Sequence, residues 1–441
     1  MKRALFVAYP FPPTGGAPVR RTLKFLKFLE RYGWSASVLT VKEEFARHPD
    51  PQLLAEVPRH CRVHRTASLG VFFKQGEMAS LRRSASSEAG SLRALLKRLR
   101  SIGGFFAIPE AYILWAPFAL RTGLKVAAQE RCAVIYATGP PFTDFLVGAL
   151  LKRWTGRPLV VDFRDAWIAE PAKVWPCLLR KRIEEKLERF VIRSADAVIC
   201  ATEGVTEDFK RRYKRFGEEK FVAIPNGYDP DDFSGVPPGP GSPGKFRIVH
   251  TGILRRERTP REFLAALGDL LREEPRLRSV LEVVFVGDNL RFNDGLFVED
   301  YLDRFHLHDV VHLTGFVPRR RSIAYQKSAD LLLLIVGKVS QEKTRTYGIA
   351  GKLFDYMVAG KPILAVAERG PVHEILKRTG LGVAVDPNDL QGLKNVLKDY
   401  VEGKAPGYRP NPPEIERYHF HRLTGELVRV FERVCTRRFE T

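Results

Sequence analysis

A chain of 441 residues, 44% hydrophobic and 28% charged, is long enough for two or three packed domains and too apolar to be read as disordered. Lys and Arg number 72 against 51 Asp and Glu, a formal net charge of +21, and residues 1–225 hold 39 of the former but only 22 of the latter. Five cysteines, Cys61, Cys132, Cys177, Cys200 and Cys435, lack metal-ligating spacing and argue against a disulfide scaffold. They fit a reducing cytoplasm. No stretch approaches roughly 18 apolar residues, the length of a membrane-spanning helix. The basic first half suits phosphates, anionic headgroups or nucleic acid.

Along the chain, short apolar runs alternate with amphipathic segments, the pattern of βαβ units around parallel sheets. In the first half the predicted strands are 4–9, 35–40, 133–138, 158–163 and 196–201, with a weaker one at 221–224. Residues 72–105 interrupt this rhythm with Lys74, Arg82, Arg83, Arg93, Lys97, Arg98 and Arg100, and with Leu92, Leu95, Leu96 and Leu99 at helical spacing. Residues 226–245 are dense in Pro and Gly and read as a linker. Asp229, Asp231 and Asp232 within it read as solvated turn residues. The alternation restarts at 246–252, 281–287, 310–315, 330–336, 362–367 and 381–385, and 415–435 reads as a closing helix. The expected fold is therefore α/β, with two doubly wound domains over 1–225 and 246–410 and a terminal segment, 411–441, crossing back to the first.

In open parallel sheets, ligands bind beyond the carboxyl ends of strands, and the chemistry-bearing residues cluster there. After the first strand, Gly15 and Gly16 let backbone N–H groups approach a phosphate or a sugar, although a turn alone would also use them. They are not spaced as in a dinucleotide fingerprint, which argues against a dehydrogenase. Pro141 follows the third strand. Arg164 and Asp165 follow the fourth and read either as a mutual ion pair or as contacts to sugar hydroxyls. In the second half, Gly252 allows a tight turn, and Arg255, Arg256 and Arg258 crowd the approach to a helix whose dipole prefers anions; a bound diphosphate would relieve that conflict. Gly348 and Gly351 precede a helix with Lys352 in its first turn, again against the dipole unless a phosphate is near. Asp355, one turn on, could accept hydrogen bonds from vicinal ribose hydroxyls. His250 and His312 lie on strands and read as satisfied core or rim residues. No Cys/His cluster or D-x-D loop points to a metal.

Taken together, PFPPTGGAPVR, GRPLVVDFRDAW, ADAVICATEGVTEDF, FVAIPNGYDPDDF, VVHLTGFVPRRR and GKLFDYMVAGKPILAV resemble the retaining glycosyltransferases of family four, over about residues 1–435. The resemblance implies the GT-B fold, two Rossmann-like domains facing a cleft, the first binding the acceptor and the second a nucleotide-diphosphate sugar. It implies that Gly15 and Gly16 close over the donor phosphates, that Arg258 binds the diphosphate with Arg256 and Gly252 beside it, and that the backbone from Tyr347 through Gly348, Ile349, Ala350 and Gly351 to Lys352 lies at the same group. Asp355 would hold the ribose, and Phe316 and Val317 would lie near the base. Pro141, Arg164 and Asp165 would face the acceptor. Two departures stand out: Tyr347 occupies a position where the family carries a glutamate, and the PPFTDF turn lacks a histidine. The implied reaction is metal-free, cofactor-free transfer with retention, assisted by Arg258, Lys352 and Asp165. A lipid-linked or polysaccharide acceptor at the inner face of the cell membrane fits the basic segment. Alternatives are a nucleotide-sugar epimerase and a non-catalytic scaffold; nucleic-acid binding would explain the charge but not the motifs.

Overall fold

The apolar runs become the strands of two parallel sheets in the computed structural model, which describes residues 1–46, 49–69, 107–169, 173, 175–239, 241–256, 258–336 and 349–436. The chain separates into two compact units: residues 1–225 with 423–441, and residues 226–422.

In the first unit the strands are β1 (Lys2–Val7), β2 (Trp34–Val41), β3 (Arg62–Thr66), β4 (Val134–Gly139), β5 (Leu159–Phe163), β6 (Ala197–Cys200) and β7 (Phe221–Ala223). They lie in the order β3-β2-β1-β4-β5-β6-β7, with every pairing parallel. All eight residues of β2 and all six of β4 are buried, as expected of strands covered on both faces. The order reverses between β1 and β4, which is where a doubly wound sheet opens a crevice. The helix Phe420–Thr436 enters this unit at Leu423. Its Phe431 packs on Phe6, Trp34 and Tyr136, with ring centroids 6.4, 5.3 and 5.9 Å apart, and Glu432 accepts from Trp34 Nε1 at 2.8 Å.

In the second unit, β8 (Phe246–Thr251), β10 (Leu281–Val286), β12 (Val311–Leu313), β13 (Leu331–Ile335), β14 (Ile363–Val366) and β15 (Gly382–Val385) form one sheet. Its order is β12-β10-β8-β13-β14-β15. The switch point lies between β8 and β13. Every side chain of β10 and β13 is buried. Each such Leu or Val contributes about 1.5–3 kcal/mol relative to exposure.

Three features depart from the sequence reading. The strand β3, RVHRT, is an edge strand whose charges hid it. The arginine-rich loop is in part a strand, β9 (Leu254–Arg256), paired with β11 (Asn289–Phe292). Residues 226–245 do not behave as a linker: they belong to the second unit, with Tyr228, Phe233 and Val236 buried, the last two against Ile323. Tyr228 N–H also donates to Tyr418 O at 2.9 Å. The aspartates there are not merely solvated. Asp229 is buried and accepts from Asp231 N–H at 3.2 Å, and Asp232 pairs with Arg319 at 2.9 Å.

Candidate functional site

In the second unit the helix Lys352–Ala359 begins just after Gly351 and ends at Gly360, whose φ of +66° makes the left-handed cap that favours glycine. Leu353, Phe354, Tyr356 and Met357 form its buried face. The Tyr356 hydroxyl accepts from Thr251 N–H at 2.9 Å and lies 3.3 Å from Leu333 O. The helix is thereby tied to β8 and β13 together, which sets its N-terminus at the switch point.

Lys352 is aimed by this arrangement. Its Nζ lies 3.1 Å from His250 Nε2, and His250 Nδ1 lies 2.9 Å from Leu333 O. A carbonyl only accepts, so Nδ1 carries the proton and Nε2 offers a lone pair to the lysine. Burial pushes His250 well below its usual range, and the neighbouring Lys352 adds to the shift. Burial and then the nearby Arg258 pull Lys352 down to about 7, against an opposing pull from Asp355. Arg258 itself is exposed. Gly252 supplies the room: a Cβ there would stand 2.7 Å from Lys352 Nζ, and its φ is +111°. Gly287, at φ +136°, lies so close to the Gly252 carbonyl that a Cβ would sit 2.6 Å from the oxygen. Gly252, Arg258, Gly351, Lys352 and Asp355 thus lie near one another.

Asp355 has a partner the sequence reading missed. Arg319 grips it with two hydrogen bonds of 3.1 Å and also holds Asp232 at 2.9 Å. Burial works against this guanidinium, but Asp355 and then Asp232 more than offset it, and its pKa is raised. The signal was present in the run Arg319–Arg321, three cations opening a helix against its dipole. His250 was legible only as a core or rim residue, because nothing in the sequence links it to Lys352.

The other residues expected on the donor side are placed less tightly. Arg256 ends β9 at a positive φ of 51°, and its carbonyl accepts from Asn293 N–H at 3.2 Å. Phe316 is 76% exposed, Val317 is half-buried, Ala350 is buried and Ile349 packs against the core. Tyr347 and Gly348 lie outside the described residues.

In the first unit, Gly15 and Gly16 follow β1, and Gly16, at φ +100°, caps the helix Ala17–Leu29. Pro141 is buried after β4. Arg164 donates to Thr138 Oγ1 at 2.9 Å and to the Pro140 carbonyl, so its hydrogen bonds anchor the loop after β4. Asp165 is exposed. Burial lowers the Arg164 pKa, opposed by Asp162, Asp144 and Asp165. Across the switch point of this sheet, Tyr9 N–H donates to Asp144 at 2.9 Å. Glu110 accepts from Thr143 N–H and Oγ1 at 2.8 and 2.9 Å, and burial raises it to about 7. Among the described residues no group of three or more His, Cys, Asp or Glu is placed to hold a metal ion, and no helix is long and apolar enough to cross a membrane. The basic stretch 72–105 lies outside the described residues.

Residues 16–227 match the glycosyl transferase 4-like domain family, and residues 245–402 match the glycosyl transferases group 1 family. A search of curated proteins found no match. Among solved structures, HepE from Anabaena in complex with UDP is similar at 16% identity and a TM-score of 0.58, covering 98% of this chain and 100% of that one. Sucrose-phosphate synthase from Thermosynechococcus elongatus is similar at 13% identity and a TM-score of 0.60, covering 98% and 99%. The lipopolysaccharide outer core galactosyltransferase WaaB is similar at 12% identity and a TM-score of 0.57, covering 98% and 100%. At these identities the likeness is one of fold, and the fold is GT-B.

Proposed function

We propose that this chain, whose residues 16–227 and 245–402 match two glycosyl transferase family models, moves a sugar from a nucleotide-diphosphate sugar to a lipid-linked or polysaccharide acceptor with retention of anomeric configuration. The observation that carries the donor assignment is the meeting of Lys352, Arg258 and the open Gly252 turn at a helix N-terminus over the β8–β13 switch point. Two basic side chains and a helix N-terminus there suit a leaving diphosphate. UDP bound to HepE supports a nucleotide as the ligand of this fold.

The bond from C1 to the diphosphate oxygen breaks as Arg258 and Lys352 take up the developing charge. The acceptor oxygen bonds to C1 on the same face, and its proton passes to the departing phosphate oxygen. Asp355, oriented by Arg319, accepts from the ribose hydroxyls. Asp165, exposed beyond β5, faces sugar hydroxyls. A panel of nucleotide sugars screened by thermal shift identifies the donor, since a ligand of the native state raises the midpoint. Product analysis then tests the reaction: release of a free, epimerised nucleotide sugar would replace transfer with epimerisation.

In this reading the basic side chains of Arg258 and Lys352 take the place of a divalent ion. We expect full activity in excess EDTA. Activity that is lost in EDTA and restored by Mg²⁺ or Mn²⁺ would overturn the metal-free scheme.

The acceptor side is read as a membrane-surface one, with the enzyme peripheral at the cytoplasmic face. The basic excess of residues 1–225 supports this reading, as do Leu178 and Leu179, 74% and 68% exposed beside Lys181 and Arg182. Each Lys or Arg near an anionic surface contributes about 1 kcal/mol. We expect co-sedimentation with anionic vesicles and release in about 0.5 M salt, where the Debye length is about 4–5 Å. Charge reversal of Arg93, Lys97, Arg98 and Arg100 together should abolish it. Unchanged co-sedimentation of that folded variant would remove residues 72–105 from the membrane reading.

A further inference from the structure

We propose that His250 and Lys352 form a proton-coupled anion receiver, in which an arriving nucleoside diphosphate draws a proton from solvent onto the Lys352 amine while His250 holds that amine in place. The inference rests on the donor-site reading above. Its foundation is the relay from Leu333 O through His250 to Lys352 Nζ, with separations of 2.9 and 3.1 Å. Because Nδ1–H is committed to a carbonyl, Nε2 is an acceptor only, and it accepts from either the neutral amine or the ammonium. A second proton on the imidazole would set N–H against the lysine, so the pair takes up one proton at most.

The titratable and charged groups facing Lys352 among the described residues are the neutral His250 from β8, Arg258 from the segment after β9, and Asp355 from its own helix. Asp355 is already gripped by Arg319 through two hydrogen bonds. Among these described groups the balance without ligand disfavours the ammonium, in keeping with a pKa pulled to about 7. A diphosphate reverses that balance. The buffer acid loses a proton, Lys352 goes from amine to ammonium, and no bond to phosphorus changes. His250 is thus a positioning residue for the donor diphosphate.

Calorimetric titration at pH 8 with UDP, GDP, ADP and dTDP, in buffers of different ionisation enthalpy, reads the proton directly. At that pH the diphosphate is fully ionised. From a pKa of about 7, roughly 0.9 proton should be taken up per nucleotide bound. Lys352→Arg, always a cation, should bind with no buffer dependence. His250→Gln, which can still donate to Leu333 and accept from Lys352, should keep the uptake and stay within about threefold of the parent affinity. His250→Leu should lose about tenfold. If His250→Leu does not fold, the parent, His250→Gln and Lys352→Arg still decide the matter. Binding with buffer-independent heat in the parent chain would overturn this inference alone, and equal affinity of folded His250→Gln and His250→Leu would remove His250 from it. No binding of any of the four nucleotides would overturn the donor-site reading, and this inference with it.

Discussion

Lys352→Ala and Arg258→Ala should each weaken nucleoside-diphosphate binding by about 1.5–3 kcal/mol, roughly 10- to 150-fold in Kd by calorimetry. The two losses should differ in kind. Lys352 is half-buried beside Gly252 and His250, so its contribution should depend less on salt. Arg258 is exposed, so its contribution should shrink as ionic strength rises. Removing Lys352 also leaves His250 Nε2, a buried acceptor, without its donor, which adds a stability cost of about 1–3 kcal/mol. Unchanged affinity in both variants would sink the diphosphate assignment.

Asp162→Ala should destabilise the first unit by about 3–5 kcal/mol in urea unfolding. Asp162 is fully buried on β5 and accepts from Arg21 through Nε at 3.0 Å and Nη2 at 2.9 Å, from Tyr136 at 2.6 Å and from Thr138 at 2.9 Å. Its loss would strand Arg21, which is itself buried and also donates to the carbonyls of Ile224 and Pro225 at 2.8 Å. Burial alone would raise the Asp162 pKa, but Arg21 and the hydrogen bonds more than offset it, and the folded value is lowered. A depressed carboxylate stabilises above its unfolded pKa, about 3.9, and that stability is lost as pH falls through the folded value. The gap between parent and variant should therefore be full at neutral pH and close only in acid below about pH 4. A gap that stays constant into that acid range, or a loss under about 1 kcal/mol, would contradict this account.

What could be read in advance follows from which signals are local. The central strands were legible because burial on both faces demands continuous apolar runs, as in Leu331–Ile335. The edge strand Arg62–Thr66 was not, since one side of it needs no apolar cover and its residues are mostly half-buried. Pro and Gly between 226 and 245 disfavour a long helix or central strand, and the described residues there form only the short turn Pro230–Phe233. The same Pro and Gly say nothing about packing, and Phe233 and Val236 anchor the segment regardless. In the site, Lys352 and Arg258 were legible because each offends the helix dipole where it stands. Arg319 offended it equally, but its answer, Asp355, lies 36 positions away. The His250–Lys352 contact spans 102 positions and depends on the β8–β13 crossing. Such pairings are a property of topology.

The placement of Phe431 has a bearing on how the chain is made. Its ring fills a gap between Phe6, Trp34 and Tyr136 in the first sheet, yet it is synthesised only after the whole of residues 226–422. At about 5–20 residues per second, the first unit waits at least ten seconds or so on the ribosome with that apolar face uncovered. The second unit, made from one continuous stretch, has no such delay. The order of maturation during translation thus runs against the order of the sequence: the first part to emerge is the last to close, and until then its exposed Phe6, Trp34 and Tyr136 are the surface a holdase would recognise.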